Sequence, residues 1–168
     1  LYKKPDEKIE EKKKTTILIS SELDYSNMNT LMIEANKIVE KGAGAGEIKV
    51  PKSIADNLAT FFDYDNSFKL DENNRLNSVV TFDVFDNRSN KLNVDENTLI
   101  TNTDKGLAIK SSVIDSLGVN EGDIVRIIKE NVKKYRCEII RKDTEEYNLW
   151  ERYLVNSIRG QKRRYGII

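Results

Sequence analysis

Histidine is absent from this chain of 168 residues. That removes the commonest general base, the usual zinc ligand and every catalytic triad built on imidazole. Cysteine occurs once, as Cys137, so neither an internal disulfide framework nor a Cys/His metal site can be assembled. A lone thiol fits a reducing, cytoplasmic setting, and within the strand-like run YRCEIIR it reads as small apolar filler. No apolar run approaches the length of a membrane span. The opening LYKKPDEKIEEKKK is charged and lacks the apolar stretch of a secretory signal. Nor is there an excess of either charge: 28 Lys and Arg balance 28 Asp and Glu. Bulk electrostatics therefore calls for neither nucleic acid nor membrane, and any footprint for a polyanion has to be local.

What the chain does contain is a repeated phrase. EIKVPKSIADNL, Glu47 to Leu58, returns as LAIKSSVIDSL, Leu107 to Leu117. Aligned without gaps, Ser53, Asp56 and Leu58 match Ser112, Asp115 and Leu117, Val50 falls on Ile109, and Ile54 falls on Val113. Each copy reads as a strand, a small polar break and a one- to two-turn helix. The phrase is a common one, so chance and internal duplication both account for it.

Around the repeat, residues 1–14 read as a charged lead-in, and TTILIS (15–20) as a short β-branched strand. SELDYSNMNTLMIEANKIVEK suits either a helix or strands around a turn, with TLMIEANKIV tipping the balance to strand. KGAGAGE (41–47) is expected to be a flexible loop, because three glycines in five residues hold no regular element. SFKLDEN and SVVTFDVFDN are strand-like, and in the latter Val80, Phe82 and Val84 alternate with Thr81, Asp83 and Phe85. The polar, asparagine-rich stretch DNRSNKLNVDENTLITNTDKG (86–106) is expected to hold one or two short strands. DIVRIIK and KKYRCEIIRK read as a strand pair around a turn at Glu130-Asn131. DTEEYNLWERYLVNSI (143–158) is the clearest helix, capped by Asp143 or Thr144, with glutamates in its first turn and a stripe of Leu149, Trp150, Tyr153, Leu154 and Ile158. The ending carries Arg159, Lys162, Arg163 and Arg164 and reads as a basic tail or the start of a linker.

Many short strands with two related strand–helix corners predict a mainly β fold with short helices. The expected architecture is a seven- or eight-stranded pseudobarrel with pseudo-twofold symmetry, two corner helices and a C-terminal helix, spanning residues 15–158.

KIVEKGAGAGEIKVPKSIADNL resembles the opening of the DNA-binding pseudobarrels: a strand, a glycine-containing arm, a strand ending in proline, then a short helix. The plant B-three domain has this layout, as do the effector or specificity domains of restriction endonucleases of the EcoRII and BfiI kind and N-terminal domains of McrBC- or LlaJI-type restriction proteins. DIVRIIKENVKKYRCEIIRKDTEEYNLWERYLV is similar to that group's final strands and acidic-started helix. The resemblance implies site-specific binding of double-stranded DNA by two arms in the major groove, as the recognition part of a restriction or defence protein, with catalysis or an NTP-driven motor in another domain or subunit. It implies no cofactor, no metal and no catalytic residue in this chain. The first arm would run from Lys37 to Lys49, with Glu40, Lys41, Gly42, Gly44 and Glu47. The second would lie in 87–105, with Arg88, Asn90, Lys91, Asn93, Asn97, Asn102 and Lys105. Arg and Lys suit guanine, Asn suits adenine and carboxylates accept from cytosine. Such arms usually carry more arginine and aromatic residues than these do.

PDEK, Pro5 to Lys8, has residue types of a Mg²⁺-dependent nuclease, but four consecutive residues cannot supply the hairpin that separates the catalytic carboxylates. The double repeat is also similar to the double-psi barrels of ubiquitin-fusion-degradation adaptors and their AAA unfoldase partner, which implies docking of ubiquitin or a client protein without DNA. A swapped-barrel transition-state regulator would need a far shorter chain.

Overall fold

The structure, a computed structural model, describes residues 29–168. The charged lead-in, PDEK and the strand expected over 15–20 lie outside the described residues. The described elements are β1 (Thr30–Glu34), β2 (Glu47–Pro51), α1 (Lys52–Ala55), α2 (Tyr64–Ser67), β3 (Lys69–Leu70), β4 (Leu76–Asp86), β5 (Lys91–Thr103), β6 (Gly106–Lys110), α3 (Ser112–Leu117), β7 (Ile124–Asn131), β8 (Lys134–Ile140), α4 (Glu145–Glu151), β9 (Asn156–Ser157) and β10 (Arg164–Ile167). They form one mainly β sheet in the order β2-β6-β5-β4-β8-β7-β1-β10-β9, with β3 on β4. Ten strands replace the expected seven or eight, because the two-residue β3 and β9 and the terminal β10 join the sheet.

The repeated phrase has a structural meaning. Its two strands, β2 and β6, pair antiparallel with each other, Ile48 opposite Ile109 and Val50 opposite Leu107. All four side chains are buried. Antiparallel pairing sends the following helices to opposite ends of the sheet, α1 from Pro51 and α3 from Ser111, which is local twofold symmetry. Ser111 caps α3 by accepting from the Ile114 amide, and Gly118 ends it with a left-handed φ of 64°.

The sheet curls until β2 returns beside β1. No ladder joins these two strands; side chains do. Asn36 donates from Nδ2 to the Glu47 carbonyl (3.1 Å) and accepts the Lys49 amide (2.9 Å). Arg163 donates to the Glu34 carbonyl (2.8 Å) and the Lys49 carbonyl (2.6 Å). These bonds satisfy backbone groups that a ladder would otherwise pair.

Inside the curl lies the main core, with Leu31, Ile33, Val80, Phe82, Val84, Ile127 and Ile139 from the strands and Leu58, Phe61 and Phe62 from the segment after α1. Tyr135 packs against Phe61, Phe62 and Phe82 with ring centroids 5.4–5.8 Å apart, and its hydroxyl donates to the Phe61 carbonyl. A second core lies on the outer face, where α4 covers Met32, Ile124 and Ile140 with Tyr147 and Trp150. β1 is thus buried on both faces, which is why TLMIE reads as a continuous apolar run and not as an alternation.

Four further expectations are corrected. The helix expected over 143–158 is capped by Thr144 but ends at Glu151. Tyr153 and Leu154 stay in the outer core while Ile158 enters the main one, and one straight helix cannot reach both. The expected basic tail is part of the sheet: β10 pairs with β1, Leu31 opposite Ile167. Residues 91–103 are a single 13-residue strand, and the turn between β7 and β8 falls at Val132-Lys133, beyond the expected Glu130-Asn131. No helix among the described residues is long and apolar enough to cross a membrane.

Candidate nucleic-acid interface

The outward face of β2, β6, β5, β4 and β3 follows from the register. One row across it reads Lys49, Ala108, Thr101, Asn77, Lys69, and a second reads Glu47, Lys110, Leu99, Val79. With strands about 4.8 Å apart, the first row spans roughly 19 Å. Thr101 donates to the Asn77 amide oxygen (2.7 Å), and Asn77 donates to Asp71 (2.6 Å), so these polar groups are held in place. Backbone donors from Arg75 and Asn73 and the Asn77 amide keep the Asp71 carboxyl below its ordinary range. Lys49, Lys69 and Lys110 are exposed. None of the ion pairs among the described residues takes up these three lysines or Lys105, whereas Asp56 and Asp71 are each neutralised by a neighbour, Lys52 and Arg75.

Loops lie at both ends of this face. At the Glu47 end stands the segment between β1 and β2, carrying the exposed Lys37, Glu40, Lys41 and Gly42. It is more ordered than a flexible connection: Gly42, Gly44 and Gly46 all take left-handed φ values of 71–86°, and the Gly46 amide donates to Val39 while Ala45 donates to Gly42. A cavity of about 390 Å³ separates the base of this arm from α3, lined by Ile38, Val39, Ile114, Asp115 and Val119 among others. Close contact is made at Gly46, where a Cβ would sit 3.0 Å from Asp115. At the other end lies the tight turn between β5 and β6, with Asp104 and Lys105 exposed. The Lys105 carbonyl accepts the first amide of α1, and Thr103 bonds the Gly106 carbonyl and the Lys105 amide.

The residues expected in the second arm are divided between two places. Asn102 and Lys105 are at the β5–β6 turn, across the face from the first arm. Arg88 and Asn90 are in the β4–β5 hairpin turn, with Lys91 and Asn93 at the start of β5, near the far end of that 13-residue strand, roughly 40 Å away if it were straight. Arg88 is committed to Asp143 (3.0 Å), and this guanidinium holds the Asp143 carboxyl below its usual range. Asn97 sits where the register shifts opposite Thr81. Of the expected first-arm set, Lys37, Lys41, Gly42, Gly44, Glu47 and Lys49 do lie together.

Sequence reasoning missed Lys69, Lys110 and Thr101; only the strand register reveals that they share a face with Lys49. It also treated Arg163 and Arg164 as free basic residues. Arg163 is buried, and burial pushes its guanidinium down to about 10, against the opposing pull of Glu34 and Glu121. Arg164 pairs with Glu34 and Glu151. Among the described residues no cluster of His, Cys, Asp or Glu suits a metal ion.

No family model matches the chain, and no curated protein matches it. The N-terminal domain of Helicobacter pylori LlaJI.R1 is similar in structure at a TM-score of 0.46 and 17% identity, covering 83% of this chain and 97% of that one. A likeness at this level establishes neither family nor function.

Proposed function

We propose that this chain is a recognition domain for double-stranded DNA, belonging to a restriction or defence protein whose catalytic or motor part lies in another domain or subunit. The observation that supports it is the outward lysine face of β2, β6 and β3 with a loop at each end. Lys49, Lys69 and Lys110 would lie along phosphates, which positions a duplex without reading it. The glycine arm at one end and the Thr103–Gly106 turn at the other would reach for base edges. They are separated by the length of β2, five residues or about 17 Å, which exceeds the roughly 12 Å width of a major groove. The two loops therefore straddle the duplex along its axis instead of entering one groove side by side. In this reading Lys41, Glu47 and Lys105 carry the specificity contacts; Asn102, next to the outward Thr101 and opposite the buried Leu107, points to the other side of the sheet, and the distant Arg88, Asn90, Lys91 and Asn93 do not touch the same stretch of DNA.

The test is selection from a randomised duplex pool at low and at physiological salt, with the bound fraction sequenced. Enrichment of a short motif, lost from Lys41 and Lys105 variants but kept in an Arg88 variant, supports the reading. Retention of no DNA at low salt overturns it and turns attention to protein clients.

A further inference from the structure

We propose that the N-terminal half of β5 is a pairing edge for a second copy of this chain, joined antiparallel about a twofold axis through Asn93. β5 has β6 beside it only from Leu99 onward. From Lys91 to Asp95 the described residues provide one neighbour, β4, and the opposite edge is open. Lys91, Leu92, Asn93 and Val94 are all exposed, Leu92 by 53% and Val94 by 55%. Open edges are normally blunted by proline, inward charge or short length. This one has no proline and belongs to the longest strand of the sheet; the inward Asp95 and the register shift after it close the edge at that end, which leaves Lys91 to Val94 as the free stretch.

The occupant follows from the sequence of the edge itself. A twofold axis perpendicular to the sheet keeps outer-face residues beside outer-face residues, so only registers that preserve alternation are available. Leu92 and Val94 are on the outer face, opposite Phe85 and Asp83 of β4. Centred on Leu92, the pairing sets Val94 against the polar Asn90. Centred on Val94, it sets Leu92 against Glu96. Centred on Asn93, each Leu92 meets a Val94, the two asparagines face each other, and each Lys91 comes opposite Asp95, whose buried carboxylate is already held by Ser111 and the Asn97 amide, with the exposed Glu96 next along the strand. This register alone pairs the apolar residues of both copies. Phe85, with Arg136 5.8 Å above its ring, extends the apolar strip on each side of the join. The edge lies on the same side of the sheet but further along β5 than Leu99, the nearest row of the lysine face, and the inference does not depend on the proposed function.

Two measurements without DNA decide the matter. Sedimentation from low micromolar to several hundred micromolar should show reversible dimerisation, weakened about tenfold or more by Val94→Lys, since a charge at the join is left facing Leu92. In an Asn93→Cys variant the facing Cα atoms would lie about 4.5–5.5 Å apart, within the range a disulfide bridges. Cys137 is buried, so the introduced thiol reports alone. Under mild oxidation it should form a covalent dimer about tenfold faster or more than Glu72→Cys, at an exposed turn. A chain that stays monomeric at the highest concentration overturns the proposal, as does dimerisation unaffected by Val94→Lys or crosslinking no faster than the Glu72→Cys control. If Val94→Lys fails to fold, the Asn93→Cys comparison still decides.

Discussion

Arg163 donates to the main-chain carbonyl of Lys49 at 2.6 Å across 114 residues of sequence. The same guanidinium holds the Glu34 carbonyl, so one side chain from the end of the chain fastens β2 to β1 at the foot of the glycine arm. Arg163→Met should leave two buried carbonyls unpaired and cost roughly 2–4 kcal/mol, measured as a lower urea midpoint with unchanged slope. Arg163→Lys should recover only part of this, because a point ammonium cannot reproduce a planar fork. If the proposed DNA contact is correct, both variants should also lose affinity, since Lys49 shifts with its strand.

Arg141 is fully buried and bonds both oxygens of Asp86, at 2.9 and 3.0 Å, and Asp123 at 3.2 Å. Its remaining donors reach the Leu117 and Gly118 carbonyls at the end of α3. Burial alone would raise the Asp86 carboxyl, but the Arg141 hydrogen bonds and the Arg88 amide prevail and hold it below its ordinary range. A depressed folded value means that stability is fully present above the unfolded carboxylate range, near pH 4, and is lost as pH falls through the lower folded value. Urea unfolding followed from pH 7 down to pH 3 should therefore show a drop below about pH 4. Asp86→Asn should flatten that drop and cost about 3–5 kcal/mol at neutral pH by stranding Arg141.

Much of this fold was legible where local chemistry and tertiary packing agree. Val80, Phe82 and Val84 alternate in sequence and all turn into the core, and the two strand–helix phrases proved to be paired neighbours. The end of the chain was not legible because its arginines look solvated from sequence: only a partner carbonyl 114 residues away makes Arg163 a core residue. The helix limit at Glu151 was hidden for a related reason, since Tyr153, Leu154 and Ile158 fit a helical stripe but are divided between two cores. The lysine face was unreadable because Lys49, Lys69 and Lys110 meet through register alone, and register is a non-local property.

Gly106 opens β6 with a φ of 129°, and a Cβ there would sit 2.1 Å from the Val50 carbonyl and 2.7 Å from the Lys52 amide. Neither backbone group can move without breaking the β2–β6 ladder. Gly106→Ala should lose at least about 3 kcal/mol, from strain and from the displaced strand together. Gly42→Ala, with nothing within 4 Å of its Cβ, should cost only the left-handed backbone penalty of about 1 kcal/mol. Thermal melts of the two variants side by side should separate these effects.

Cys137 is fully buried in β8, and burial, with Glu138 adding, pushes its thiol well above the usual range. The native chain should react with a thiol reagent only as it unfolds, so the labelling rate should track global opening and accelerate with urea. Rapid labelling of native protein would contradict this placement of β8.

The salt dependence of DNA binding separates positioning from reading. In the proposed mode Lys49 and Lys110 lie beneath phosphates, so Lys49→Ala and Lys110→Ala should each lower the slope of log affinity against log salt by about 1, weakening all sequences alike. Lys41→Ala and Lys105→Ala, in the loops at the two ends of the face, should leave the bulk of the slope and instead reduce discrimination between the selected motif and a mismatched one, by about 1–3 kcal/mol per lost base contact. Lys142, exposed in the turn before α4 and outside the strands of the lysine face, provides the control: Lys142→Ala should change neither quantity. Equal effects from Lys142, Lys49 and Lys110 would mean that the chain meets DNA through diffuse charge, and a chain of zero net charge has little of that to offer. The comparison therefore tests the lysine face itself and not merely whether DNA is bound.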